Sequence, residues 1–279
     1  MTAAPELLTI RDLAISFGGL KAVDGIDVTV EQGEVHALIG PNGAGKTTVL
    51  NCVSRFYDAA RGSIRFGGQE LLGLKPHRVA RLGIARTFQN LELFPELSVL
   101  DNVLIGRDRA MSAGILPALL RLPSERREAR RERDHALGLI DEVGLGGDAD
   151  AIVADLPYGR QKLAELARAL ALDPRLLLLD EPAAGMNQTE ARTLGDLLLR
   201  LRDRHGLTIL LIEHNMSLVM RVSDRITVME QGRFLAAGTP PEIERHEAVI
   251  AAYLGNRDAD AIPRRDRRRL GPTKEMAHA

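Results

Sequence analysis

Between residues 7 and 35 hydrophobic and polar positions alternate. Ile26, Val28 and Val30 are interleaved with Asp27, Thr29 and Glu31, and the stretches FGGL and EQGE mark reversals. A period of two predicts β structure with turns. EVHALIG (34–40) is a short apolar strand ending in glycine and running into a glycine-rich turn, and TTVLNCVSRF (47–56) then reads as a helix. GSIRFGGQE (62–70) returns to alternation with a Gly67-Gly68 turn.

From residue 98 to 145 the period changes and the chain becomes helical, with Ala136, Leu139, Ile140 and Val143 on one apolar face. The dense charges of ERREARRERD (125–134) fit a solvated face laced by pairs three or four residues apart, such as Arg130 with Asp134. Further on, RLLLLD (175–180), LTILLIE (207–213) and ITVME (226–230) are continuous apolar runs, the mark of strands buried on both faces of a parallel sheet. Helices expected at about 159–172 and 189–204 separate them, giving the strand–helix alternation of a doubly wound α/β core. No internal repeat appears. After Tyr253 the pattern stops, and IPRRDRRRLGPTKEMAHA (262–279) reads as a basic, mobile tail.

Composition narrows the classes. Lys plus Arg (37) nearly balance Asp plus Glu (38) in 279 residues and only 3% are aromatic, so neither a basic field nor stacking platforms for nucleic acid are expected. The single cysteine, Cys52, excludes an internal disulfide and suits a reducing compartment. Neither a signal peptide nor an apolar run of the roughly 20 residues that span a bilayer is expected.

Candidate chemistry enters at GPNGAGKT (40–47), which fits G-x-x-x-x-G-K-[ST] between a strand and a helix. The segment Gly40, Pro41, Asn42, Gly43, Ala44, Gly45 would turn backbone amides toward phosphates. Lys46 would neutralise the β and γ phosphates, Thr47 would ligate Mg²⁺, and Thr48 follows for the α phosphate. LLLLDEP (176–182) places two acids at the carboxyl end of a buried strand, where open α/β sheets bind ligands. Asp180 is placed to hold Mg²⁺ through water, and Glu181 to orient or deprotonate an attacking water. Together the two motifs point to a P-loop NTPase that uses Mg²⁺, without saying which kind.

In DLPYGRQKLAELARAL (155–170) a proline, a tyrosine and a glycine crowd the entry to an amphipathic helix, and an exposed helix N-terminus suits an anion. Gln89 in RTFQN, this LPYGRQ entry, DEP and His214 in LLIEHN come in the order and spacing of an ATP-binding cassette, with Phe17 upstream where the cassette's adenine-stacking aromatic stands. Over residues ~7–255 the chain resembles the ATPase subunit of an ABC transporter. The resemblance implies a RecA-like P-loop core of parallel sheet, an antiparallel β subdomain and a helical signature subdomain at about 90–165. Residues 1–256 would form the cassette and 257–279 the tail.

It further implies that Gln89 senses the metal and the attacking water, that His214 bonds the γ phosphate, and that two subunits close head to tail on two ATP molecules. The segment Leu156, Pro157, Tyr158, Gly159, Arg160, Gln161 aligns with the signature that caps the partner's γ phosphate. Here Pro157 replaces the family's serine and Tyr158 its first glycine, removing a hydroxyl and a backbone N–H donor. Asn187 in AAGMN stands where an aspartate is usual.

Those departures, together with RTFQNLELFPELSVLDNV and EQGRFLAAGTPPEI, look like the LivG type, which drives bacterial uptake of branched-chain amino acids. That implies a second, different ATPase subunit, two integral membrane permeases, a periplasmic substrate-binding protein and a peripheral place on the cytoplasmic face of the inner membrane, with no nucleic acid involved. Urea and short-amide importers use similar ATPases and are the alternative cargo. Neither tandem cassettes nor a long heptad insert points to translation or repair ATPases, and a P-loop kinase would have no reason to carry the signature, Gln89 and His214 together.

Overall fold

The early alternation becomes a long hairpin. Strands β1 (Glu6–Phe17) and β2 (Leu20–Glu31) pair antiparallel around Gly18 and Gly19, both at positive φ, in a computed structural model that describes residues 5–107 and 123–255. With β4 (Arg61–Phe66) and β5 (Gln69–Glu70) they form a four-stranded sheet in the order β2-β1-β4-β5. One face of this sheet is buried through Leu8, Ile10, Ile26, Val28, Val30 and Ile64.

The second sheet has six strands in the order β10-β9-β3-β8-β7-β6. They are β3 (Val35–Ile39), β6 (Ile84–Arg86), β7 (Leu176–Asp180), β8 (Thr208–Ile212), β9 (Arg225–Glu230) and β10 (Arg233–Gly238). All pairs are parallel except the β9–β10 hairpin. The apolar runs follow from burial on both faces. Leu177, Leu179, Ile209 and Leu211 belong to the core under the helices, whereas Leu176, Leu178, Leu210 and Ile212 belong to the core shared with the antiparallel sheet. Leu176 through Leu179 are completely buried, each worth about 1.5–3 kcal/mol relative to exposure.

Nine helices complete the described chain: α1 (Lys46–Val53), α2 (Pro76–Arg81), α3 (Val99–Arg107), α4 (Pro123–Glu142), α5 (Tyr158–Leu170), α6 (Gln188–His205), α7 (Met216–Val222), α8 (Pro240–Glu244) and α9 (Glu247–Gly255). Helix α1 is shorter than its sequence suggests. Arg55 adopts φ 63° and the Phe56 amide returns to the Asn51 carbonyl at 2.8 Å, a left-handed ending that Ser54 to Phe56 cannot continue as helix. The parallel-sheet core, antiparallel sheet and helices α3 to α5 match the expected α/β architecture.

Ala136, Leu139, Ile140 and Val143 of α4 pack into the core as their spacing predicts. Its charges, however, pair with other elements. Glu132 meets Arg107 of α3, and Arg133 lies 3.9 Å from Asp150, while no ion pair joins Arg130 to Asp134 among the described residues. Part of the expected helical segment (108–122) and the basic tail beyond 255 lie outside the described residues. Among the described residues no helix is long and apolar enough to cross a membrane.

Candidate active site

Strand β3 delivers the chain into the glycine turn and α1 receives it. A Cβ on Gly40 would stand 2.0 Å from the Met229 carbonyl oxygen, and one on Gly45, at φ 93°, would stand 2.4 Å from the Ala22 carbonyl oxygen, so only glycine fits at either end of the loop. Asn42 and Gly43 are exposed at its tip, while Pro41 and Ala44 are buried beneath it. Helix α1 has no acid in its first turn, leaving its N-terminal amides open to an anion. Lys46 is buried, and its ammonium donates to the carbonyls of Gly40 (2.7 Å) and Pro41 (3.0 Å). Burial holds its pKa below the ordinary lysine value, with the nearby carboxylates of Glu181 and Asp180 pulling the other way.

Three neighbouring parallel strands bring the remaining groups to the same edge. At the end of β7, Asp180 places Oδ1 3.3 Å from the Thr47 hydroxyl, which donates to it, and Oδ2 2.9 Å from the Arg86 guanidinium. Asp180 is 1% exposed, and that burial raises its pKa against the lowering effect of Arg86. Glu181 follows with φ 51°, a left-handed conformation disfavoured for a residue with a side chain and common where function fixes the backbone. Its N–H donates to the Ile212 carbonyl (2.9 Å), which ties it to the end of β8. From β8 comes His214, with Nε2 2.8 Å from Glu181 Oε1, and from the segment after β6 comes Gln89, whose amide nitrogen donates to Glu181 Oε2 at 3.3 Å.

Lys46, Thr47, Gln89, Asp180, Glu181 and His214 therefore converge. Thr48 lies in the same first turn of α1, partly buried. Phe17 ends β1, a residue 45% exposed whose ring lies edge-on to Tyr57 at 5.1 Å between centroids. The Thr47 hydroxyl, the Asp180 carboxylate and the Gln89 amide are hard oxygen donors of the kind Mg²⁺ takes. No group of three or more His, Cys, Asp or Glu makes a metal cage among the described residues, and Mg²⁺ shared with phosphates needs none.

The signature segment stands apart from this cluster. Pro157 is the N-cap of α5 (φ −54°, ψ 146°) and offers no side-chain cap. Tyr158 is 45% exposed, Arg160 pairs with Asp148, and the Gln161 amide donates to the Leu156 carbonyl at 2.8 Å. No hydrogen bond links residues 156–161 to the glycine loop among the described residues. Gly185 of AAGMN packs beside Tyr158, whose ring would lie 3.6 Å from a Cβ placed there. Asn187 caps α6: its side chain accepts from the amides of Thr189 (2.9 Å) and Glu190 (3.0 Å), a job aspartate would do equally.

Several site residues escape sequence reasoning. Arg86, buried beside Asp180, also donates to Asn51 Oδ1 (2.7 Å), and its guanidinium carbon lies 4.9 Å from the centre of the Phe88 ring. Glu213 is 3% exposed and accepts from the amides of Ala183 (2.7 Å), His214 (2.9 Å) and Asn215 (3.0 Å), fastening the backbone of the two segments that carry Glu181 and His214. Lys162 and Glu165, on the buried face of α5, reach the segment of Gln89. RTFQN contains Arg86 in plain view, but nothing in its spacing says that it meets an acid on another strand.

A family model described as ABC transporter matches residues 23–184, and one described as branched-chain amino acid ATP-binding cassette transporter matches residues 235–259. The chain is 45% identical over 249 residues to the high-affinity branched-chain amino acid transport ATP-binding protein BraF of Pseudomonas aeruginosa, covering 89% of this chain and 98% of that one. The LivG protein of Escherichia coli, of the same description, is 44% identical with the same coverage. Among solved structures, the ADP conformation of an ATP-binding cassette of an ABC transporter superposes with a TM-score of 0.78 at 30% identity, over 90% of this chain and 100% of that one.

Proposed function

The chain belongs to the ABC transporter family as an ATP-binding cassette of the LivG type, and from that premise we propose that it hydrolyses ATP to drive bacterial import of branched-chain amino acids. The observation that carries the mechanism is the convergence of His214 and Gln89 on the two carboxylate oxygens of Glu181, at 2.8 and 3.3 Å, beside the glycine loop.

In this reading the backbone N–H groups of residues 42–48 and the Lys46 ammonium hold the phosphates, Lys46 exchanging its two carbonyl partners for β and γ oxygens. Phe17 stacks on the adenine. Thr47, Gln89 and Asp180, the last through water, would hold Mg²⁺, which would offset the negative charge of the β and γ phosphates. Glu181 orients the attacking water and accepts its proton. His214 donates to the γ phosphate, so the Glu181–His214 contact opens to admit substrate between the two side chains.

The first turn of α5, with Tyr158 exposed and Gly159 half-buried, has no hydrogen bond to the chain's own loop among the described residues, which suits a turn that reads the nucleotide of a second subunit. We assign residues 1–256 to one cassette, with a helical subdomain at about 90–165 and a separate tail at 257–279. It would work with a second, different ATPase subunit and two permeases at the cytoplasmic face of the inner membrane, supplied by a periplasmic binding protein. ATP would close the cassette pair and hydrolysis would reset it.

The match over residues 235–259 favours branched-chain amino acids over urea or short amides. Uptake of labelled leucine and of labelled urea in cells lacking the gene tests this, with wild type or Glu181→Gln restored. Leucine uptake rescued by wild type alone is expected. Rescue of urea uptake alone would change the cargo, and rescue of neither would overturn the proposal.

A further inference from the structure

Helix α5 begins as an exposed turn and continues as a buried element that carries two opposite charges. Lys162 and Glu165 have side chains 5% and 1% exposed and lie 3.6 Å apart. A buried pair gains little net stability over apolar side chains of the same volume, so its use here calls for a geometric reason. The partners supply one. The Lys162 ammonium donates to the carbonyls of Phe88 and Gln89, both at 2.9 Å, while Glu165 Oε1 accepts the Phe88 N–H at 3.1 Å. Both polar groups of the Phe88 backbone are thus gripped by one turn of one helix, immediately before the residue whose side chain touches Glu181.

The same lysine faces the other way as well. It lies one helical turn after Tyr158, with its ammonium 5.7 Å from the centre of the Tyr158 ring, a cation–π distance. Tyr158 in turn packs beside Gly185, four residues after Glu181. A continuous set of contacts therefore runs from Glu181 through Gln89, Phe88 and Lys162 to the exposed Tyr158.

We propose that the Lys162–Glu165 pair is a positioning device that couples Gln89 to the signature turn of the same subunit. Occupancy of a subunit's own γ-phosphate site would then set how it presents Tyr158 and Gly159 to its partner. Neither residue is catalytic, since neither touches a reacting group. Gln89 must shift its amide from Glu181 to the incoming phosphate and metal, and the clamped backbone beside it carries that shift into α5. This inference rests on the nucleotide reading given above.

Hydrogen–deuterium exchange on the purified full-length chain tests it, with AMP-PNP and Mg²⁺ as the probe. In wild type, protection is expected at residues 40–48, at 87–91 and at 157–162. The double variant K162M/E165M removes both charges together and so avoids leaving one buried alone. It is expected to keep the protection at 40–48 and 87–91 and to lose most of it at 157–162, with its melting temperature measured in parallel. Glu165→Gln keeps the shape and the acceptor for Phe88 but weakens the hold on Lys162, and is expected to show the same selective loss in a milder form. Full protection at 157–162 in either folded variant, loss at both segments, or no protection there in wild type when 40–48 responds would overturn the coupling. Absence of protection at 40–48 in wild type would instead contradict the nucleotide site itself.

Discussion

His214 Nε2 stands 2.8 Å from Glu181 Oε1, so the two residues read as catalytic are joined across the ends of adjacent strands before substrate enters. Each is the other's resting partner. Separating them exposes a carboxylate toward water and an imidazole N–H toward phosphate. His214→Ala should therefore lower the hydrolysis rate by about 10²–10³, the usual loss for one donor to developing charge. Affinity for ATP should change much less. Single-turnover hydrolysis set beside fluorescent-nucleotide binding checks both.

Arg86 holds Asp180 at 2.9 Å with side chains 7% and 1% exposed. Arg86→Met leaves that carboxylate buried without its cation, and the expected loss of stability is about 3–5 kcal/mol. Because Mg²⁺ would supply a replacement charge, ATP with Mg²⁺ should recover more stability in the variant than in wild type. Denaturant titrations in EDTA and in saturating MgATP distinguish this from simple loss of packing.

Two glycines that look alike in sequence should answer alanine differently. At Gly40 a Cβ would meet the Met229 carbonyl oxygen at 2.0 Å, so Gly40→Ala should fold poorly. At Gly159 nothing lies within 4 Å and the residue is already helical. Gly159→Ala should keep or raise stability by up to about 1 kcal/mol, while lowering hydrolysis in the assembled transporter if this turn reads the partner's nucleotide. Melting curves and ATPase rates of the two variants suffice.

Cys52 is buried in α1, and burial pushes its pKa up to about 11. The thiol stays protonated in the folded chain at neutral pH. Iodoacetamide at pH 8 should thus label native protein slowly and urea-unfolded protein quickly, with little effect on ATPase activity beforehand. Mass spectrometry of the labelled peptide measures it.

Much of this site is legible without coordinates because its determinants are local. The glycine loop, the acid pair after LLLLD and the histidine after LTILLIE each sit at the end of a strand whose apolar run announces it. Parallel pairing then carries them to one edge. What escapes is long-range. Arg86 meets Asp180 across 94 positions and Glu213 fastens Ala183 across 30, and neither partnership leaves a spacing in the chain. The spacing of Leu163, Leu166, Ala167 and Leu170 likewise marks the inward face of α5, with Leu163 only half-buried at its edge, but not that Lys162 and Glu165 are buried with them. A buried charge looks like a solvated one until its partner is seen. Helix ends are similarly lost where a left-handed residue such as Arg55 stops a pattern that could continue.

Glu181 is proposed to perform hydrolysis in a site that binds nucleotide without it. Phosphate release by the assembled transporter, measured for wild type and Glu181→Gln alongside ATP affinity, tests it most directly. A fall of about 10²–10⁴ in rate with ATP binding retained is the expected result. Hydrolysis by Glu181→Gln near the wild-type rate would contradict it.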